Sequence, residues 1–209
     1  MERVLPWGPP AAADPVDRLA PVRAEPRGWV AVPGVFSAED CDRIVALRDR
    51  LAAEAAGLVN GVSTSAVRRS HIVWLDHDAP DTAWIAARLT RAVADVNRDV
   101  FGFALTGFDE EIQLTEYRAE VAGFYDWHSD IGGRGIPQSR KLSLTVQLSD
   151  PADYDGGALE LNTRGEPEAA PRDRGTAIAF PSYALHRVAP VTRGIRRSLV
   201  VWTHGPRFV

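Results

Sequence analysis

The chain has 209 residues, 45% of them hydrophobic and 25% charged, with a formal net charge of −4. That length and balance fit one globular domain with a sizeable core, and give a nucleic-acid partner no electrostatic support. The start MERVLPWGPPAAADP has no cationic stretch followed by an apolar core, no run approaches the ~20 apolar residues that cross a bilayer, and the one cysteine, Cys41, cannot form an intrachain disulfide, so the expectation is a cytoplasmic protein with no membrane partner.

Residues 1–27 are rich in Pro, Ala and Arg without a sustained period, and read as an extended N-terminal arm ahead of a single domain over 28–209. Trp29–Val32 is a short β-prone run. Ser37 before Glu39 and Asp40 is an N-cap with an acidic first turn, and Ile44, Val45, Leu47 and Leu51 recur at helical spacing, which predicts a helix over 37–56 with Cys41 as a small buried hydrophobe. The stretch 58–64 reads as a turn-rich loop, and Val67 to Leu75 as a strand. A second helix opens at Asp81-Thr82, carries Trp84, Ile85, Leu89 and Val93 on one side, and ends near Gly102. Helical support over 37–100 with this much apolar surface is expected to pack on the outside of a sheet.

From about 109 to 203 the texture changes to short β-prone runs at 110–118, 123–129, 141–149, 157–162, 176–180, 185–189 and 195–203, separated by turn clusters such as Asp155-Gly156-Gly157. Strands punctuated in this way, without helices between them, indicate an antiparallel jelly-roll. The fold class is therefore α+β. Gln113, Thr115 and Tyr117 share one strand face, as do Ser143, Thr145 and Gln147, while leucines, isoleucine and valine take the opposite faces. A polar inner face suits a barrel with a wet site; polar residues facing solvent would give the same pattern.

His128 and Asp130 stand two residues apart, and on an extended chain such residues point to one side. His186 sits at the start of a later strand. Two neutral imidazoles and one carboxylate on one side of an ion make the facial triad of non-haem iron oxygenases. Ten residues after His186 comes Arg196, with Ser198 on the same strand face. A guanidinium offers a carboxylate two parallel charge-assisted hydrogen bonds and a hydroxyl adds a third, although Arg196 could equally pair with an acidic side chain at the sheet surface.

With these residues in order, the sequence resembles the prolyl-4-hydroxylase-type branch of the Fe(II)/2-oxoglutarate dioxygenases. The likeness rests on Tyr117–Gly123, Tyr125 and His128-Ser129-Asp130; on Arg140–Leu148; on Asp155–Leu159; and on His186–Pro190, Gly194, Arg196 and Trp202. It implies a double-stranded β-helix with Fe(II) held by His128, Asp130 and His186, and 2-oxoglutarate and O2 as co-substrates. Arg196 is the implied anchor of 2-oxoglutarate. Tyr117, with Tyr125 as substitute, and Gln147 are its implied further contacts. The implied reaction is oxidative decarboxylation of 2-oxoglutarate to succinate and CO2, coupled to hydroxylation of an unactivated C–H bond. A carboxylate at Asp130, where related halogenases carry a small residue, favours hydroxylation.

A small-molecule substrate such as an amino acid or biosynthetic intermediate is expected, with peptidyl proline or another protein side chain as the alternative. A jelly-roll binding module without catalysis, or a zinc hydrolase on the same triad, are the readings from other classes; the hydrolase leaves Arg196 without a purpose. Trp127 is either a roof over the substrate or core. Arg68 and Arg69 are either substrate contacts or a solvated face. The glycine-rich 131–139 loop is a candidate lid, Gly156-Gly157 a tight turn, and His71, His77 and His204 structural histidines.

Overall fold

The computed structural model describes residues 28–54, 62–64 and 66–208; the expected arm over 1–27 and the 58–61 part of the expected loop lie outside the described residues. After β1 (Val30–Val32) the chain enters helix α1 (Ala38–Glu54). A reciprocal cap starts it: the Asp40 N–H donates to Ser37 Oγ at 3.1 Å, and the Ser37 N–H donates to the Asp40 carboxylate at 3.1 Å. Val62–Thr64, expected as loop, is strand β2 and pairs with β3 (Arg68–Leu75), whose ladder supplies the backbone partners that a loop would lack. Helix α2 (Ala83–Val96) passes into a wide turn, Asn97–Phe101, that Gly102 closes at φ 64°.

The remaining strands are β4 (Ile112–Arg118), β5 (Phe124–His128), β6 (Arg140–Gln147), β7 (Tyr154–Gly156), β8 (Leu159–Asn162), β9 (Glu168–Ala169), β10 (Ala177–Pro181), β11 (Leu185–Val188) and β12 (Val191–His204). The described strands form one antiparallel sheet in the order β1-β10-β6-β12-β4-β3-β5-β11-β8-β9, with β2 on β3 and β7 on β12. Two strands turn its corners. β3 pairs with β4 through His71–Leu75 and with β5 through Arg68 and Arg69. β12 pairs with β7 through Val191, Arg193 and Gly194 and then runs between β4 and β6. The sheet thereby curls into the half-barrel of a double-stranded β-helix. Asp155-Gly156, expected as turn, is partly β7, because its backbone pairs with the first residues of β12.

The two faces of the curl differ in chemistry. Leu114, Leu142, Leu144, Val146, Leu199 and Val201 join Ile44, Leu47, Ile85 and Leu89 of the helices in the main core, so the helices lie on the outer face as expected. Cys41 is fully buried in that core. On the inner face Gln113, Thr115, Ser143, Thr145, Gln147 and Ser198 are buried too, so the polar rows do not meet solvent. Apolar side chains there would each contribute roughly 1.5–3 kcal/mol by burial. Forgoing that gain points to use of the inner face. Among the described residues no helix is long and apolar enough to cross a membrane.

Candidate active site

β5 and β11 are antiparallel neighbours, and their register makes His186 the direct cross-strand partner of His128. The ring centroids stand 4.1 Å apart. Asp130 follows β5 in a segment tied down by its own N–H and that of Ile131, both donating to the Ser182 carbonyl at 2.9 Å. The carboxylate lies 3.7 Å from His128 Nε2 through Oδ1 and 3.5 Å from His186 Nε2 through Oδ2. One ligand atom from each residue lies within 4.8 Å of the others.

Hydrogen bonds set the donor atoms. His128 Nδ1 is 2.7 Å from the Asp126 carbonyl and His186 Nδ1 is 3.0 Å from the Ala184 carbonyl. A carbonyl only accepts, so each Nδ1 carries the proton and each Nε2 presents a lone pair inward. Burial, then the neighbouring His186 ring, lowers the pKa of His128 to about 4, which keeps its imidazole neutral. Burial pushes the Asp130 carboxyl up, but the two imidazoles and the Ser143 hydroxyl, donating to Oδ2 at 2.6 Å, outweigh it and keep the group ionised. Two neutral nitrogens and one carboxylate converging without internal hydrogen bonds fit a divalent iron.

These residues open into a cavity of about 330 Å³, whose walls include Tyr117, Tyr125, Arg196 and Ser198. Arg196 is 1% exposed. Its Nη2 donates to Gln147 Oε1 at 2.9 Å, its Nη1 stands 3.5 Å from Ser198 Oγ, and its Nε has no hydrogen-bond partner. It pairs with no carboxylate among the described residues. Its neighbours do: Arg197 bonds Glu116 at 2.8 Å and Arg193 bonds Asp155 at 2.6 Å. The alternative that Arg196 pairs at the sheet surface is thereby removed. A buried cation next to unpartnered donors is a cradle for an anionic group.

The other expected contacts divide. Tyr125 stacks on His128 at 3.5 Å, and Tyr117 lies below Arg196, whose guanidinium is 5.6 Å from the ring. Burial raises the pKa of both phenols, so each stays a neutral hydroxyl. Gln147 does not line the cavity; it accepts from Arg196 and donates to the Pro171 carbonyl, which holds Arg196 in place. Arg68 lines the cavity with its guanidinium over Tyr125 at 4.5 Å. Arg69 does not: it donates to the Val121 carbonyl and covers Phe124. Trp127 does not roof the cavity either, because it faces Arg187, whose guanidinium covers it at 4.9 Å.

Sequence reading missed the opposite end of the cavity. There Trp74 leans on Trp202 at 6.3 Å, and Arg140 lies over Trp202 at 3.8 Å while forming a two-pronged ion pair with Glu110. His204, expected as a structural histidine, is fully buried beside Ser139 and Glu110. Glu110 precedes β4, Arg140 opens β6 and His204 ends β12, so only the sheet order brings them together. Gly157 was expected, with Gly156, to make a tight turn. It adopts φ 62°, and a Cβ there would sit 3.0 Å from Arg196 Cδ, so its lack of a side chain makes room for the anchor.

A curled antiparallel barrel gathering three such donors and a buried guanidinium defines the class of mononuclear non-haem iron oxygenases. Residues 112–204 match the family model described as the 2OG-Fe(II) oxygenase superfamily. The chain is 33% identical over 128 residues to a PKHD-type hydroxylase of Teredinibacter turnerae, covering 59% of this chain and 57% of that protein's length. It is 30% identical over 176 residues to the PKHD-type hydroxylase YbiX of Escherichia coli, covering 82% of this chain and 76% of the relative. Its fold resembles that of a Trichoplax adhaerens prolyl hydroxylase solved with a hypoxia inducible factor peptide fragment, with a TM-score of 0.69, 17% identity, and coverage of 85% and 83% of the two chains.

The chain belongs to the 2OG-Fe(II) oxygenase superfamily, with PKHD-type hydroxylases among its relatives. It is an enzyme of the dioxygenase or hydroxylase type, and the family's cofactors are Fe(II), 2-oxoglutarate and O2.

Proposed function

We propose that His128, Asp130 and His186 hold Fe(II), that Arg196 anchors 2-oxoglutarate, and that the enzyme hydroxylates an unactivated C–H bond on a small molecule. The observation that carries this reading is the buried Arg196, which has no carboxylate partner among the described residues and lines the same cavity as the triad. An unpaired buried charge costs several kcal/mol, a cost that a bound carboxylate offsets. When bound, iron with 2-oxoglutarate and O2 supplies the oxidising power, and the co-substrate leaves as succinate and CO2. The chain's part is binding and orientation. Arg196, assisted by Ser198, fixes the far carboxylate; Tyr117 presents a neutral phenol beside Arg196 and Tyr125 one beside His128; the curled walls limit entry of water.

The cavity stands at the low end of the ~300–1,000 Å³ typical of ligand sites. With the co-substrate in place, the target enters as one small group between Trp74, Trp202 and the Arg140–Glu110 pair. A free amino acid or biosynthetic intermediate fits that space. A protein side chain is the second reading, favoured by the peptide bound to the Trichoplax relative. A cytoplasmic setting accords with the buried free Cys41 and with a metal used in its reduced state.

Anaerobic titration of the Fe(II)-loaded protein with 2-oxoglutarate tests the reading. A weak charge-transfer band in the visible that disappears in Arg196→Ala supports it, and bound iron without a band sinks it. Succinate release with candidate small molecules and with peptides, followed by mass analysis for one added oxygen, separates the two substrate readings.

A further inference from the structure

Asp130 is held by more than its place in the chain. Ser143 and Ser182 are both fully buried, and their hydroxyls meet at 3.0 Å on the inner wall. A hydroxyl has one proton to give. Ser143 gives its proton to Asp130 Oδ2 at 2.6 Å, so Ser182 is the donor to Ser143. The Ser182 carbonyl accepts the N–H groups of Asp130 and Ile131, and its own N–H donates to the Lys141 carbonyl at 2.9 Å. One residue thus fixes the Asp130 backbone directly and its side chain through a second hydroxyl. Oδ1, by contrast, lies toward His128, 3.7 Å from its Nε2, and the Trp202 indole is the other side-chain donor beside the carboxylate.

The asymmetry bears on how many positions the carboxylate takes on a metal. We propose that Ser143, oriented by Ser182, is a positioning residue that engages Oδ2 and keeps Asp130 a one-oxygen ligand through Oδ1. The inference rests on the assignment of iron to His128, Asp130 and His186. Two imidazoles and one carboxylate oxygen leave half an octahedron open, enough for a chelating 2-oxo acid and dioxygen. A carboxylate bound through both oxygens takes one of those places and competes with the chelate. A buried oxygen stripped of the Ser143 hydroxyl turns to the nearest cation, so that hydroxyl helps to keep the place open.

The test compares wild type, Ser143→Ala, Ser182→Ala and Ser143→Thr by two binding measurements without turnover. These are Fe(II) affinity, and the anaerobic absorption titration of the Fe(II) protein with 2-oxoglutarate. Ser143→Ala is expected to hold Fe(II) as well as or better than wild type and to bind 2-oxoglutarate about 10- to 100-fold more weakly, the range seen when a ligand's supporting partner is lost. Ser182→Ala is expected to fall between, and Ser143→Thr to restore binding. In the Co(II)-substituted protein, Ser143→Ala should shift the visible ligand-field bands, since coordination number has changed.

Overlapping 2-oxoglutarate titrations for wild type and Ser143→Ala would overturn the inference while leaving the iron assignment standing. Equal loss of metal and 2-oxoglutarate would overturn it as well, because that is the mark of a damaged site rather than of a changed binding mode. Absence of the band in wild type removes the iron reading and this inference with it.

Discussion

Arg196 and Arg197 are neighbours on β12, yet they live on opposite sides of the sheet under opposite electrostatic regimes. On the outer face, beneath α1, Glu116 is 0% exposed and its carboxylate is shared by Arg48, Arg118 and Arg197. Each of these cations meets a carboxylate of the chain. On the inner face Arg196 is buried just as deeply and answered only by an amide and a distant hydroxyl. The outer face closes its electrostatics to hold the fold together. The inner face leaves a cation and three metal-binding donors open, and so depends on what it binds. A charged network is informative about function where its balance fails.

The comparison breaks most sharply at the metal. His186→Ala should abolish succinate formation and weaken Fe(II) binding beyond the ~10–100-fold cost of losing a mere supporting group, while circular dichroism stays that of wild type. Retained turnover would show that the inner face is not a metal site. Next in size, Arg196→Ala should keep iron but raise the half-saturating 2-oxoglutarate concentration by about 10²–10³-fold, as truncating one side of a buried charge pair does. Arg197→Ala should leave that concentration unchanged. If both variants shift it alike, the distinction between the faces fails.

Glu116→Gln reverses the roles. It leaves three guanidinium groups around a neutral amide and should cost about 3–5 kcal/mol in denaturant unfolding, with 2-oxoglutarate affinity of the folded protein unaltered. A mild loss of stability would mean that water screens the cluster. Gly157→Ala is the smallest effect. A left-handed φ for a residue with Cβ costs ~1–2 kcal/mol, and the methyl meets Val191 Cγ2 at 2.9 Å and Arg196 Cδ at 3.0 Å. A roughly fivefold rise in the 2-oxoglutarate requirement is expected from a displaced anchor, corresponding to about 1 kcal/mol. A loss of stability alone would confine this glycine to the turn.

Much of the architecture was legible because alternation survives in the strands. Ile112 and Leu114 against Gln113 and Thr115, or Leu142 and Leu144 against Ser143 and Thr145, report both a strand and its two faces. The pair His128 and Asp130 was legible for the same reason, and Arg196 could be chosen over Arg197 from strand parity. Short strands were not legible. β2 and β9 have too few residues for a period, and β7 is written in turn residues whose conformation is decided by β12. The far wall of the cavity was hidden for another reason. Glu110, Arg140 and Trp202 meet through sheet order, and no spacing along the chain encodes that. Trp127 was left open between roof and core because its partner, Arg187, is contributed by β11.

The register that sets His186 opposite His128 has a consequence for the life of the chain. The two histidines come from strands far apart in sequence, so their meeting is a late, long-range event in folding. Until β11 lies beside β5, no two of the three donors but His128 and Asp130 are near each other, so on the proposed assignment the full iron ligand set exists only once the sheet has formed. On that assignment, oxidising chemistry is armed only after the β-barrel has shut around it. The backbone ladder acts as a safety catch, sparing an unfinished protein from the reaction it is built to perform.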